Sequence, residues 1–380
     1  MIVALVPAYE PESAQLQQLR RDVRGFLAEQ LAAAKFVPEV DTWLRGWDLE
    51  FTAALAERGW LGMTIPREYG GHGRSFAERF VVTEELLAAG APVAAHWIAD
   101  RQAAPSLLKF GTEAQKQRYL PGITAGQVFW AIGMSEPDAG SDLASVRTRA
   151  TRVDGGWRVS GTKVWTSGAH LAHAFFMLAR TEPASSENRH AGLSQFIVPL
   201  DSRGITVSPI LSMDGAHHFN EVHFDEVFVP DEMVLGTVGD GWHQVTSELS
   251  YERSGPERFL STYQLLAGLV DAAKSGEVVR HSDLGAHIAR VAGLHRMSSA
   301  VASALERGEQ VASAAAVVKV IGTSGEGDIA ELADRIVGRD GPEALRALAD
   351  RAVVQRPGFT LRGGTSEVLR GVIAREMGLR

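Results

Sequence analysis

Between Phe129 and Leu235 the chain is cut into short β-branched or aromatic runs: "RATRVDGGWRVSGTKVWTSG", "AFFMLAR", "LSQFIVPL", "GITVSPI" and "NEVHFDEVFVP". Gly, Asp, Ser and Pro separate them, so each run reads as a strand closed by a tight turn, and Asp154-Gly155-Gly156 is a hairpin candidate. Strands this short must pair with one another and cover a shared apolar face, which predicts a small β-sandwich or barrel. No other feature restricts the fold as strongly, because both flanks carry a different period.

From Glu12 to about Gln127 the period is helical. "SAQLQQLRRDVRGFLAEQLAAA" sets Leu16, Leu19, Val23, Phe26, Leu27 and Leu31 at steps of three and four, one stripe of an amphipathic helix. "DLEFTAALAERGWLGM" repeats the pattern up to Gly59, and "SFAERFVVTEELLAAG" up to Gly90. From Gly239 the helical period returns in Ala-rich and Leu-rich segments separated by Gly276, Gly308, Gly341 and the "RPG" at 356–358. The expectation is an α+β multidomain chain: a helical domain over 12–127, a β domain over 128–235 and a helical bundle over 236–380. No fixed-period repeat is visible, which disfavours a solenoid.

Composition then narrows the function. The 380 residues are 45% hydrophobic and 22% charged, enough for a large core and two or three domains. The net charge of −8 comes without a basic run, so nucleic acid is not an expected partner. Cysteine is absent, which removes disulfides, thiolate nucleophiles and cysteine metal sites together, and fits a reducing cytoplasm. The opening "MIVALVPAYEPESAQ" has no basic region and is interrupted by Pro7 and Pro11, unlike a signal peptide. No run approaches the roughly 20 apolar residues of a membrane span. A cytoplasmic chain without membrane partners is expected.

Three stretches offer chemistry. In "MSEPDAGSDL" (Met134 to Leu143), Gly140 lets backbone amides approach a ligand, and Ser135 and Ser141 add hydroxyl donors; the same letters also describe an ordinary polar turn. In "GTKVWTSGAH", Trp165 stands two residues before Ser167, as a wall for a planar ligand or as half-buried packing. In "LRGGTSEVLRGVIARE", Gly363-Gly364 leads into a helix that Thr365 or Ser366 can cap. Its apolar residues Val368, Leu369, Val372 and Ile373 share a face, and its N-terminal amides suit a polarised oxygen or a purely structural end. His96 and the pair His217-His218 lack metal-ligand spacing, so no metal is expected, and neither GxSxG nor a GxGxxG after a strand occurs.

Six collinear strings carry a resemblance over nearly the whole chain: "GWLGMTIPREYGG", "GTEAQKQRYLP", "MSEPDAGSD", "GTKVWTSG", "NEVHFDEVFVP" and "GGTSEVLRGVIARE". Together they resemble the acyl-CoA dehydrogenase family. The resemblance implies a helical N-terminal domain, a β middle domain and a C-terminal four-helix bundle. It also implies FAD between the last two, an acyl-CoA substrate, and electron-transferring flavoprotein as acceptor. Carried over by position, it places Met134, Ser135, Gly140 and Ser141 near flavin, pyrophosphate or substrate, Trp165 and Ser167 at the flavin ring, and Thr365 and Glu367 on the dinucleotide.

Many members keep the catalytic glutamate in a "YEGT" string, which here reads "RGGT" with Gly363 in the acidic position. Another subset carries it as Glu-Arg on the first long bundle helix, and counting from "GDGWHQV" at 239 that glutamate is Glu252, followed by Arg253. Pro256, one turn later, is expected to kink the helix and aim Glu252 inward. The Gly363 amide remains able to polarise the thioester carbonyl, and Tyr251 and Arg253 are expected beside the substrate. "VVRHSDLG" and "DRIVGRDG" depart from the family's interface strings, keeping only Arg280 and Gly338 as candidates for FAD. These departures leave a homo-oligomer (dimer or tetramer) and a heteromer with a related subunit both open. A flavin oxidase or monooxygenase on the same fold and a non-catalytic partner subunit are the alternative activities.

Overall fold

A computed structural model describes residues 6–184, 187–279, 281–338 and 340–379, and the side chains of 248–252 lie outside the described part. Helices come first: α1 (Ala14–Ala32), α2 (Thr42–Arg45), α3 (Leu49–Glu57), α4 (Phe76–Ala88), α5 (Ala94–Ile98), α6 (Ala104–Phe110) and α7 (Glu113–Thr124). Strands follow: β1 (Trp130–Gly133), β2 (Arg149–Val153), β3 (Gly156–Ser167), β4 (Ala174–Arg180), β5 (Leu193–Pro199), β6 (Ile205–Leu211), β7 (His217–Pro230) and β8 (Val234–Leu235). The chain closes with α8 (Gly241–Glu252), α9 (Tyr263–Ser275), α10 (Ser282–Glu306), α11 (Ala312–Val337), α12 (Glu343–Phe359) and α13 (Ser366–Glu376). The helix, strand, helix order is the one the periodicity predicts.

Two compact units divide this chain, one of residues 1–51, 74–94 and 250–380, the other of 52–73 and 95–249. In the first, α9 to α12 form the four-helix bundle around Leu265, Leu269, Ile329, Leu332, Leu345 and Ala352, all buried. Helix α11 is its centre, with buried residues on nearly every turn. Helices α1 and α4 belong to this unit as well. The α4 start is fixed by a capping box, in which the Ser75 hydroxyl accepts from the Glu78 amide and the Glu78 carboxylate accepts from the Ser75 amide. On α1 the stripe buries Val23, Phe26 and Leu27, whereas Leu31 at its end is exposed.

The second unit holds α5 to α7 and the sheet, ordered β6-β7-β3-β2-β4-β5-β8 with β1 parallel to β4. Its two halves are joined by a single parallel pair, Arg149 with Arg180. They also pack face to face: Phe175 of β4 meets Phe224 of β7 at 5.6 Å, and Trp157 of β3 meets Phe196 of β5 at 5.7 Å. Strands that are not neighbours in the sheet touch through their rings, which is the sandwich geometry. The β2–β3 hairpin turns at Asp154-Gly155, where Gly155 takes φ 72°.

Two expected breaks fall elsewhere. The "RPG" at 356–358 lies inside α12, where Pro357 in the last turn removes one hydrogen bond without ending the helix. Conversely, α8 does not kink at Pro256. It stops at Glu252, and Pro256–Arg258 form a separate short turn, because Gly255 takes an extended backbone ahead of the proline.

Candidate active site

In the sheet unit, the loop after β1 is pinned from beneath. Glu136 and Ala139 exchange backbone hydrogen bonds of 2.8 and 3.1 Å around Pro137-Asp138. The buried Glu136 carboxylate accepts from the amides of Arg147 (2.6 Å) and Thr148 (2.9 Å) and from Lys163 Nζ (2.8 Å). Lys163 Nζ also reaches the Met134 carbonyl at 3.2 Å. Burial draws the Lys163 ammonium down to about 8, opposed by its carboxylate partner. Burial works upward on Glu136 too, but Lys163 and the amide donors outweigh it and hold that carboxyl below its usual range.

This pair was not singled out from the sequence, although a signal existed. Trp157, Val159 and Lys163 share the inward register of β3, and a charge on that register requires a buried partner. Gly133 was also missed. A Cβ there would lie 1.9 Å from the Phe175 ring, so only glycine fits. Above this base Ser135 is half-buried, while Gly140 and Ser141 are exposed, and among the described residues other than its chain neighbours no atom lies within 4 Å of a Cβ added at Gly140. The next residue, Asp142, is ion-paired to Arg189.

The Ser135 carbonyl accepts from the Val164 amide at 3.0 Å, which joins this loop to the end of β3. There the register slips between Lys163 and Thr166, and Trp165 adopts φ 58°. Trp165 is 59% exposed and meets the edge of the Phe219 ring at 5.7 Å, more open than half-buried packing. A large aromatic in the left-handed region is strained by about 1–2 kcal/mol, and such strain concentrates where a ligand is met. Ser167, half-buried, closes β3 opposite Phe219.

His96 and His217 each meet protein partners. His96 is buried against the Thr52 hydroxyl at 3.2 Å, and burial lowers it to about 4. His217 stacks on His170 at 3.8 Å while its Nε2 meets Asn220. Among the described residues, one group of ligand-type atoms does cluster, Glu12, Glu84 and His295 in the bundle unit, and Arg20 is ion-paired to both carboxylates.

In the bundle unit, Arg253 follows the end of α8, and its Nε donates to the Gly363 carbonyl at 3.0 Å. It therefore contacts the glycine turn, where the sequence placed it beside a substrate. Gly363 and Gly364 take φ 67° and 90°, backbone that side chains disfavour. A Cβ at Gly364 would come within 3.3 Å of the Arg253 guanidinium. Among the described residues, no backbone carbonyl accepts from the Gly363 amide.

Thr365 is the α13 cap, its hydroxyl accepting from the Val368 amide at 3.3 Å. Hydrogen bonds from its own backbone amide and from Thr365 hold the exposed Glu367 carboxyl below its ordinary value. Only Ser366 and Leu369 of α13 are buried, and Val368 is exposed. Gly338 ends α11 at an exposed position. The side chains of Tyr251 and Glu252, and the whole of Arg280, lie outside the described residues.

Three family models match the chain: the acyl-CoA dehydrogenase N-terminal domain over 13–127, the middle domain over 131–227 and the C-terminal domain over 274–378. The acyl-CoA dehydrogenase IpdE1 of Mycobacterium tuberculosis is 35% identical over 96% of this chain and 98% of its own length. A solved structure described as the Tcur3481-Tcur3483 steroid ACAD superposes with a TM-score of 0.84 at 30% identity, covering 97% of this chain and 99% of that one. The ChsE4-ChsE5 complex from Mycobacterium tuberculosis gives 0.78 at 28% identity, over 98% and 99%.

Proposed function

The chain belongs to the acyl-CoA dehydrogenase family of oxidoreductases, and from that premise we propose that it desaturates an acyl-CoA thioester between its α and β carbons, with FAD as cofactor and Glu252 as base. FAD, when bound, takes the hydride that leaves the β carbon. Glu252 removes the α proton. A carboxylate that loses water when substrate closes the site becomes a stronger base, which suits the task.

The Gly363 amide donates to the thioester carbonyl and stabilises the charge that builds there as the proton leaves. Trp165 and Ser167 hold the flavin ring, and Ser135, Ser141 and the backbone from Met134 to Gly140 hold its polar parts. Thr365, Glu367, Arg280 and Gly338 are assigned to the dinucleotide. The exposed, strained Trp165 fits a planar ring as its missing contact. Arg253 orders the turn that carries the amide. Electron-transferring flavoprotein is the proposed acceptor.

One observation carries this reading. The residue after Glu252 holds the carbonyl of the glycine that stands where many relatives keep their base. A bulky, ring-bearing acyl group is the proposed substrate, supported by the similar chain described as a steroid ACAD. A second, related subunit is the proposed partner, supported by the similar two-chain ChsE4-ChsE5 complex. The test is anaerobic bleaching of the yellow enzyme by a panel of acyl-CoAs. Glu252→Gln is expected to slow it by about 10²–10⁴-fold, the range for losing a general base. Bleaching at the wild-type rate in that variant overturns the assignment.

A further inference from the structure

The turn between α12 and α13 carries a second arginine with a different set of contacts. Arg362, immediately before Gly363, donates through Nη1 to both carboxylate oxygens of Asp41, at 2.8 and 2.9 Å. Its guanidinium lies 4.6 Å from the Trp43 ring centroid and 5.4 Å from that of Phe359. The Arg362 side chain is 14% exposed and that of Asp41 3%. The partners are themselves fixed: the Asp41 amide donates to the Ser261 carbonyl at 2.9 Å, Trp43 Nε1 to the Ser261 hydroxyl at 3.2 Å, and the Ser261 amide to Glu326 at 2.8 Å.

A pair of left-handed glycines has no side chains with which to hold itself, and glycine has the most backbone freedom to lose. The conformation of 363–364 is therefore set by its anchors, which are Arg253 at the Gly363 carbonyl, the Thr365 cap behind, and Arg362 in front. Of these, Arg362 brings a buried carboxylate partner, Asp41, and two rings, Trp43 and Phe359, against its guanidinium. Lysine could supply the charge but not the flat guanidinium face that lies over Trp43 and Phe359.

We propose that Arg362 is a positioning residue for the reaction: clamped by Asp41 and Trp43, it fixes the backbone of Gly363 and Gly364 and so aims the Gly363 amide. The inference rests on the role of that amide proposed above. A displacement of about 1 Å in such a group costs on the order of 10²-fold in rate. Thioester affinity, made largely elsewhere on a long ligand, is little affected.

The experiment uses the FAD-loaded enzyme, with its partner subunit where one is needed, and compares wild type with Arg362→Met, Arg362→Lys, Asp41→Asn and Glu252→Gln. Rapid anaerobic flavin reduction and amide hydrogen exchange over 361–366 are both read. Arg362→Met is expected to slow reduction by about 10²-fold, to leave the half-saturating thioester concentration within about threefold, and to speed exchange at 363–364. Arg362→Lys is expected to recover part of the rate, and Asp41→Asn to reproduce the defect where Arg362→Met does not fold.

Unchanged exchange at 363–364, a wild-type rate, or a loss confined to thioester affinity each overturn the proposal. Glu252→Gln is expected to leave exchange at 363–364 as in wild type. Failure of the base assignment therefore shows in its rate alone, and failure of the clamp in the exchange of the Arg362 and Asp41 variants.

Discussion

Trp165 is the residue at which sequence and structure speak most differently. Read from its strand, it is a packing residue or a ligand wall; its φ of 58° and its exposure depart from ordinary packing. Replacing it by glycine removes the strain while giving up the Phe219 contact and some backbone order. Trp165→Gly is therefore expected to change stability to urea by no more than about 1 kcal/mol. The same variant is expected to retain less flavin, read as the ratio of visible to protein absorbance. A large loss of stability with full flavin retention would mean that the indole is structural.

At the scale of elements, the loop from Met134 to Ser141 owes its shape to β3 through Glu136 and Lys163. Removing one member leaves a buried charge without its counter-ion, which costs about 3–5 kcal/mol. Glu136→Gln and Lys163→Met are each expected to be destabilised to that degree in urea unfolding. The double variant Glu136→Leu with Lys163→Met is expected to lose much less than the sum, since neither charge then remains. The string "MSEPDAGSD" marked the loop, but its serines and glycine drew attention while the buried glutamate beneath went unnoticed. A one-dimensional pattern records which residues could meet a ligand. Which carboxylate holds the loop up depends on a strand 27 residues further on.

For the whole molecule, pH dependence follows from buried groups in both units. Burial pushes the Glu326 carboxyl from 4.5 up to about 7, against the Arg362 cation and the Ser261 hydrogen bonds, which lower it. Because the folded value is raised, the folded state binds the extra proton. Stability from this group is full below about 4.5 and is lost as pH rises through about 7. That loss amounts to about 3 kcal/mol.

Buried His96 acts in the opposite direction, since its folded value of about 4 favours folding as pH rises from 4 to 6.5. The informative quantity is therefore the difference between wild type and Glu326→Gln in urea unfolding. Wild type is expected to lose ground to the variant between pH 5 and 8, and a constant difference would rule this out.

What the amino-acid order determined by itself is the succession of helix, strand and helix and the family strings along it, since period and turn chemistry are local properties of the chain. The packing of two half-sheets into a sandwich, the pairing of Glu136 with Lys163 beneath the loop and the clamp of Asp41 on Arg362 were decided by tertiary structure. Each depends on residues far apart in sequence sharing a buried space, where an unpaired charge or an unfilled volume costs more than local preference can supply.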